Sequence, residues 1–171
     1  MKRTVFVAIA GLIFAFTFFY AFGWPSTLGA DAGAPTSFDR VRTGEILNAG
    51  LGPFHVQGQR HVSIVTVKLK DPSPGIELVA THVALAPTQP GGAVRGAQKA
   101  MEDLPRAPGY LLRPGDSGLF WVTVRVVSPG SFSFRGIIIT YQSGWLTRTV
   151  VLGANVRADT IETPTPIPSP S

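Results

Sequence analysis

Nucleophilic catalysis is the first chemistry that the residue types of this chain suggest. Ser117 follows Asp116 in the sequence Gly-Asp-Ser-Gly of residues 115–118, and His82 lies 35 residues upstream. A serine nucleophile needs a base and an orienting acid assembled around it in space. Nothing in the sequence indicates such an assembly. We therefore expect a turn in which Asp116 and Ser117 bond nearby backbone amides.

Residues 115–118 also resemble the segment around the nucleophile of trypsin-like proteases, and residues 80–82 resemble a fragment of the histidine segment of that family. The chain departs from the family at three points. Leu119 and Phe120 replace the glycine and proline that usually follow, no cysteine follows His82, and the two segments are too close for a two-barrel fold. The sequence therefore predicts no catalytic residue and no enzyme.

Metal binding is the second chemistry to consider. His55, His61 and His82 are the imidazoles of the chain, cysteine is absent, and Met101 is the sulfur ligand available outside the N-terminus. On one strand, His55 and His61 would lie about 20 Å apart, too far for one metal ion, although a break at Gly58 could bring them closer. No acidic cluster accompanies them. We expect no metal site and no cofactor.

Two tryptophans could bind a ligand. Trp121 and Trp145 could form an exposed aromatic platform for a sugar or a peptide. The alternative is that they are sheet-surface aromatics packed in a second core or against a long loop. Clustered, exposed rings would favour a carbohydrate-binding or cell-wall-binding domain, and burial would favour a protein-interaction module.

Residues 1–24 have the pattern of a signal-anchor, that is, a transmembrane helix. Residues 4–22 form a 19-residue run without charge, which spans about 28 Å as a helix. Lys2 and Arg3 predict a cytoplasmic N-terminus and an extracytoplasmic domain, with Tyr20 and Trp24 at the outer interface. The alternative is a cleaved signal peptide and a secreted domain, although such apolar regions usually have about 7–15 residues.

The remainder divides by composition into three parts. Residues 25–37 are Gly, Ala, Pro, Ser, Thr and Leu with one Asp, which predicts a flexible linker. Residues 38–158 carry the apolar runs of one domain. Residues 159–171 end with proline at every second position from Pro164, which predicts a disordered, extended tail.

Alternating apolar residues predict strands throughout residues 38–158. The clearest strand has two faces, one with Phe120, Val122, Val124 and Val126 and the other with Trp121, Thr123 and Arg125. Other strands are expected over 60–70, 76–85, 132–142 and 145–156. The apolar phase changes at residues 64–65, where we expect a bulge or burial on both faces, and at Gly136, which is a second bulge candidate. About seven strands separated by Gly/Pro turns predict an all-β, antiparallel immunoglobulin-like β-sandwich.

Residues 86–109 fit this pattern least. Val94, Ala97, Met101 and Leu104 recur at helical spacing, which favours a short helix bridging the two sheets. A mobile loop is the alternative, because Pro87, Pro90 and two glycines precede this stretch.

Charge and composition exclude several function classes. The net charge of +5 falls to +3 without Lys2 and Arg3, since 13 basic and 10 acidic residues remain. These basic residues are scattered, so we expect no nucleic-acid binding. The absence of cysteine excludes disulfides and thiol chemistry. The excess of Arg over Lys, with abundant Gly, Ala and Pro, suggests a bacterial source.

Several turns and strand starts resemble a known family outline. They are residues 46–50 with Pro53 and Val56, residues 112–117, Gly130 and residues 137–139. This skeleton, over residues 38–156, resembles bacterial immunoglobulin-like domains, and domains of the major-sperm-protein and ASH types share it. The resemblance departs at residues 86–109. It implies an adhesion, scaffold or assembly module without catalytic residues, here carried on a membrane anchor with an unidentified protein partner.

Overall fold

The computed structural model describes residues 25–86, 92–96 and 99–161, together with Ile13. These residues form a β-sandwich of two five-stranded sheets. The strands are β1 (Thr27–Ala30), β2 (Thr36–Val41), β3 (Ile46–Gln57), β4 (Val62–Leu69), β5 (Ile76–Leu85), β6 (Ala93–Arg95), β7 (Leu111–Leu112), β8 (Ser117–Val126), β9 (Ser131–Ser143) and β10 (Leu146–Thr160), with one helical turn, α1 (Lys99–Glu102).

The order of the strands defines the two sheets. Sheet A has the order β1-β3-β8-β5, and β6 pairs with β3 beside β1. Sheet B has the order β2-β10-β9-β4-β7. Every pair is antiparallel except β2 with β10, which is parallel. The described residues therefore hold ten strands, six long ones and four too short to show a period, where about seven were expected.

The core lies between the sheets and follows the predicted alternation. In β8, Phe120, Val122 and Val124 are buried in the core, while Thr123 and Arg125 lie on the outer face of sheet A. Phe120 also contacts Phe54 of β3, with ring centroids 4.7 Å apart. The central strand of sheet A is thus held by contacts that its period-2 pattern dictates.

Both expected bulges are present. The register of β4 against β9 shifts between residues 64 and 66. Gly136 of β9 has a φ of 107°, and the pairing of β9 with β10 shifts just beyond its partner, Gly153. A side chain at Gly136 would meet the carbonyl oxygen of Leu152 and lie 2.9 Å from the backbone nitrogen of Ala154. Glycine is therefore required there by both φ and space.

Residues 25–37 do not form the flexible linker that the sequence predicted. β1 lies within it, and β2 begins inside it. Leu28 is buried in the core, and the backbone of β1 pairs with β3. A segment with few apolar residues can still be ordered when existing sheet edges supply its hydrogen bonds. The strand at the other end, β10, also runs two residues into the expected tail.

The helix expected in residues 86–109 was also predicted wrongly, because the described part of this stretch contains a strand and a single helical turn. Val94 lies in β6, which pairs with β3, and α1 has only four residues. Gly96 between them has a φ of 80°, which ends any helical path through this point. The transmembrane segment expected in residues 1–24 lies outside the described residues, apart from Ile13, as do residues 162–171 of the tail. Within the described part, no helix has the length and apolarity to cross a bilayer.

Candidate functional site: the open side of the sandwich

One long side of the sandwich is only half covered. This side is bounded by β5 of sheet A and β4 of sheet B, which contact each other. Residues 105–112 cover the half of this side that contains Ile64 of β4 and Thr81 of β5. The bonds that hold this cover are Val83 N–H to Pro105 O at 2.9 Å, Ala107 N–H to Thr81 O at 2.8 Å, Gly109 N–H to Ile64 O at 2.8 Å, and Ile64 N–H to Tyr110 O at 3.0 Å.

In the other half of this side, β4 has no neighbouring strand among the described residues. Lys70 exchanges two backbone bonds of 2.9 Å with residues 135 and 136 of β9. Because successive residues of a strand face opposite neighbours, the backbone groups of Val67 and Leu69 point away from β9. β7 pairs with β4 only at its first two residues. In the part of the chain that the structure describes, no strand pairs with residues 65–69 on this side.

Residues 76–79 of β5 also have no neighbouring strand on their outer side within the described residues. The Gly75 carbonyl oxygen accepts the Val127 N–H at 2.8 Å, so Gly75 faces the β8 side. By alternation, Ile76 and Leu78 direct their backbone groups outward. β5 has a register shift between residues 78 and 80, as β4 has between 64 and 66. Both edge strands are therefore bulged at a similar distance from the turn that connects them.

These two edges carry apolar side chains as well as exposed charged ones, Lys68 and Glu77. Val65 and Val79, at the two bulges, are 47% and 42% exposed, and Val79 also borders the cavity on the outer face of sheet A. Leu69, Ile76 and Leu78 are half-buried and pack against the core. We call residues 65–69 and 76–79 the edge groove. It combines free backbone donors and acceptors with apolar contacts, which are the two features needed to bind an extended peptide segment as an added strand.

The two candidate tryptophans lie in different environments. Trp121 is 3% exposed and lies in β8 on the outer face of sheet A, in register with His82 of β5. Trp145 is 75% exposed and lies in the turn between β9 and β10 of sheet B. A buried ring and an exposed ring on different sheets do not form one exposed platform.

The outer face of sheet A is covered by the chain around α1, and a cavity of about 420 Å³ lies beneath it. Its lining includes Asn48, His82 and Met101. Asn48 Nδ2 donates to Gly96 O at 2.8 Å, and Asn48 Oδ1 accepts the Thr123 hydroxyl at 2.7 Å. Among the described residues, no buried side-chain nitrogen or oxygen lacks a partner. The polar groups here hold the covering segment in place.

The imidazole of His82 takes part in the same attachment. Its Nδ1 lies 3.0 Å from the carbonyl oxygen of Leu104. A carbonyl oxygen only accepts hydrogen bonds, so Nδ1 is the donor. The backbone of His82 also forms a β-bridge with Arg106.

The residues of the protease-like pattern are not assembled. His82 is opposite Trp121, and Leu85 is opposite Gly118, so Ser117 lies about four residues, or about 13 Å, further along the sheet from His82. Asp116 Oδ2 instead accepts the Arg113 N–H at 2.7 Å, which closes the predicted turn.

The remaining histidines do not form a ligand set. His55 Nε2 lies 2.8 Å from Gln57 Nε2, which donates to it. Among the described residues, no group of three or more His, Cys, Asp and Glu side chains is placed to hold a metal ion.

Two charged clusters lie at the end of the sandwich where β10 finishes. Arg40, Arg42 and Arg95 line an open pocket there, although they are far apart in the sequence. Nearby, the Ser131 hydroxyl and then the Arg157 guanidinium hold the pKa of Asp159 below its usual value. The Arg157 Nε to Asp159 Oδ2 distance is 3.1 Å.

Comparison with known proteins gives likenesses of fold only. No protein-family model matches the chain. No curated protein matches it either.

Solved structures that are similar include the ASH/PapD-like domain 7 of human CEP192, with 11% identity, a TM-score of 0.41 and coverage of 84% of this chain and 89% of that chain. The CooA pilin subunit of enterotoxigenic Escherichia coli has 9% identity, a TM-score of 0.39 and coverage of 81% and 100%. The VesB protease of Vibrio cholerae has 6% identity and a TM-score of 0.37; the match covers 80% of this chain but 32% of VesB.

Sequence reasoning did not find the edge groove. The bulges were visible as phase changes, but an open edge depends on which strands are neighbours across the fold. That is decided by pairings between residues far apart in the sequence, such as Ile64 with Tyr110.

Proposed function

We propose that this chain is a membrane-anchored, extracytoplasmic, non-catalytic module that binds an extended segment of a protein partner. The partner segment adds as a strand at the edge groove, where its backbone bonds to Val67 and Leu69 of β4 or to Ile76 and Leu78 of β5. Strand addition draws its affinity from main-chain hydrogen bonds and its specificity from pockets for alternate side chains.

The single observation that carries this proposal is the open edge of β4. Natural sheets usually protect an edge with charge, proline, a bulge or a covering segment, and β4 has two of these, its bulge and the exposed Lys68. Here the cover formed by residues 105–112 stops at Ile64, and the uncovered part carries exposed Val65 and, four residues further along, half-buried Leu69. An uncovered edge of this kind favours pairing with another chain.

Membrane anchoring is proposed on the sequence of residues 1–24. The uncharged run of residues 4–22 has the length of the bilayer core, and Lys2 and Arg3 precede it. The separation of His82 from Ser117 supports a role without catalysis.

Topology is tested first, by expressing the full chain in a bacterial host and measuring its mass, its fractionation and its digestion by external protease. The expected result is an intact N-terminus in the membrane fraction and a domain cleaved only from the outer side. A shorter product that starts after the apolar run and leaves the membrane fraction would refute the anchor.

The edge groove is tested with matched charges. Val65→Lys and Val79→Lys place a lysine on each open edge, which opposes strand addition. Thr149→Lys adds the same charge on the exposed outer face of β10. Cross-linking in the native membrane should give one protein adduct with the unmodified chain and with Thr149→Lys, and lose it with the two edge variants. An adduct that survives both edge variants would place the partner elsewhere.

A further inference from the structure

The point where the chain enters the sandwich is rigidly held. Ser26 is fully buried, its N–H donates to Ser143 Oγ at 2.9 Å, and its own Oγ accepts the Arg60 N–H at 2.8 Å. Gly58 lies against Ser26, since a Cβ on this glycine would be 2.6 Å from Ser26 Oγ. The chain therefore joins the fold beside the turn between β9 and β10.

This turn presents the most exposed large apolar side chain of the described residues. Trp145 is 75% exposed, although an indole is costly to leave in water. Beside it, the Arg60 side chain lies over Gly144, with Nη1 3.0 Å from where a Cβ on that glycine would be. An aromatic ring next to a cationic side chain is the combination that proteins use at the boundary between lipid headgroups and acyl chains.

The sequence leaves little chain between the apolar run and this end. Only residues 23–25 separate Phe22 from Ser26, and four residue steps reach at most about 14 Å when fully extended. The headgroup region on each side of a bilayer is about 5–8 Å thick. The turn carrying Trp145 cannot then be far from the lipid surface.

We propose that the end of the sandwich formed by Ser26, Arg60 and the β9–β10 turn docks on the lipid bilayer, with Trp145 at the headgroup boundary and Arg60 facing lipid phosphates. This inference rests on the membrane anchoring proposed above. It also fixes the orientation of the domain. β9 has 13 residues, about 40 Å, so its other end and the cluster of Arg40, Arg42 and Arg95 point away from the membrane.

The absence of cysteine makes this orientation measurable. Single cysteines are introduced into the full chain at Thr147, which is exposed next to the turn, and at Val127, which is exposed at the far end. Each is labelled with a nitroxide and reconstituted in vesicles of phosphatidylcholine and phosphatidylglycerol. Collision with a water-soluble nickel complex should be several-fold lower at residue 147 than at residue 127.

Truncation of the tryptophan provides the second arm. Trp145→Ala should raise the nickel accessibility at residue 147 towards that at residue 127. Val151→Ala removes another exposed apolar side chain of β10 and should not change it. Equal accessibility at 147 and 127, or no effect of Trp145→Ala, would overturn the docking.

Vesicle flotation separates this outcome from failure of the anchor. A chain that floats with the vesicles but has equal accessibility at both labels keeps its anchor and lacks the docked end. A chain that does not float refutes the anchoring, and the docking with it.

Discussion

The N–H of Ser26 donates to the hydroxyl oxygen of Ser143, 117 residues later, and both residues are fully buried. Ser26 leads into β1 of sheet A and Ser143 ends β9 of sheet B, so this bond of 2.9 Å joins the two sheets. A second bond of 3.2 Å, from Leu28 N–H to the Tyr141 hydroxyl, joins them one step further in. The first strand is thereby fixed to the far sheet as well as to its own.

Ser143→Ala should destabilise the domain by about 1–3 kcal/mol, because the buried Ser26 N–H loses its acceptor and cannot reach water. Denaturant unfolding of the full chain in detergent, followed by tryptophan fluorescence, measures this loss. Ser37→Ala removes a hydroxyl from an exposed position of β2 and serves as the control. If both variants unfold at the wild-type denaturant concentration, the bond between the sheets contributes nothing.

Two glycines that face each other across β9 and β10 should respond differently to alanine. Gly136 has a φ of 107° and no room for a Cβ, so Gly136→Ala should cost at least about 2 kcal/mol. Its partner, Gly153, has open space and no positive φ, so Gly153→Ala should be close to neutral. Thermal unfolding midpoints of the two variants decide the matter. Equal losses would contradict the bulge at Gly136.

Asn48→Ala should loosen the attachment of residues 92–96, which include β6, to the edge of sheet A while leaving the sandwich folded. The substitution removes the bond to Gly96 O and leaves the Thr123 hydroxyl without its acceptor. Hydrogen exchange of residues 92–96 should become faster, whereas that of β9 should not change. Asn155→Ala, at an exposed site of β10, is the control. Unchanged hydrogen exchange at residues 92–96 would show that this segment is held by contacts other than those of Asn48.

Acidification should weaken the domain slightly through Asp159. The pKa of this carboxyl is lowered in the fold, first by the Ser131 hydroxyl and then by Arg157. The contribution is therefore complete above the ordinary carboxyl pKa of about 3.9 and is lost as the pH falls through the lower, folded value. It should be about 0.5 kcal/mol or less, because the Asp159 side chain is 41% exposed.

The check for Asp159 is the stability difference between wild type and Asp159→Asn as a function of pH. The difference should be present at neutral pH and vanish in acid. A difference that persists below the folded pKa would indicate a cause other than the charge.

The period of apolar residues predicted the long strands because the burial of each residue follows from its position in an alternating run. The alternation of Phe120, Val122 and Val124 in β8 needs no knowledge of the partner strands. Gly136 likewise indicated a bulge, because one phase of apolar residues ends there and another begins. In both cases the neighbours along the chain carry the signal.

β1, β2, β6 and β7 are ordered by partners that are distant in sequence, and so they were missed. Leu28 is the buried apolar residue of β1, and its strand depends on hydrogen bonds to β3. The roles of the tryptophans were open for the same reason. Trp121 is buried on the outer face of sheet A, whereas Trp145 is exposed in the turn between β9 and β10.

The chain enters the sandwich at Ser26 and leaves it at Ile161, whose N–H bonds to Val41 O at the opposite end. Tension applied between these two points would act along the strands. β10 pairs with β9 from Leu146 to Asp159 and with β2 only from Val156 to Thr160, so it would have to slide against both strands and many hydrogen bonds would be loaded together. A domain loaded in this direction resists extension far better than one whose strands are peeled apart one bond at a time. At Ser26 the load falls on β1, which pairs with β3 through four residues, so this short strand is the weaker of the two attachments.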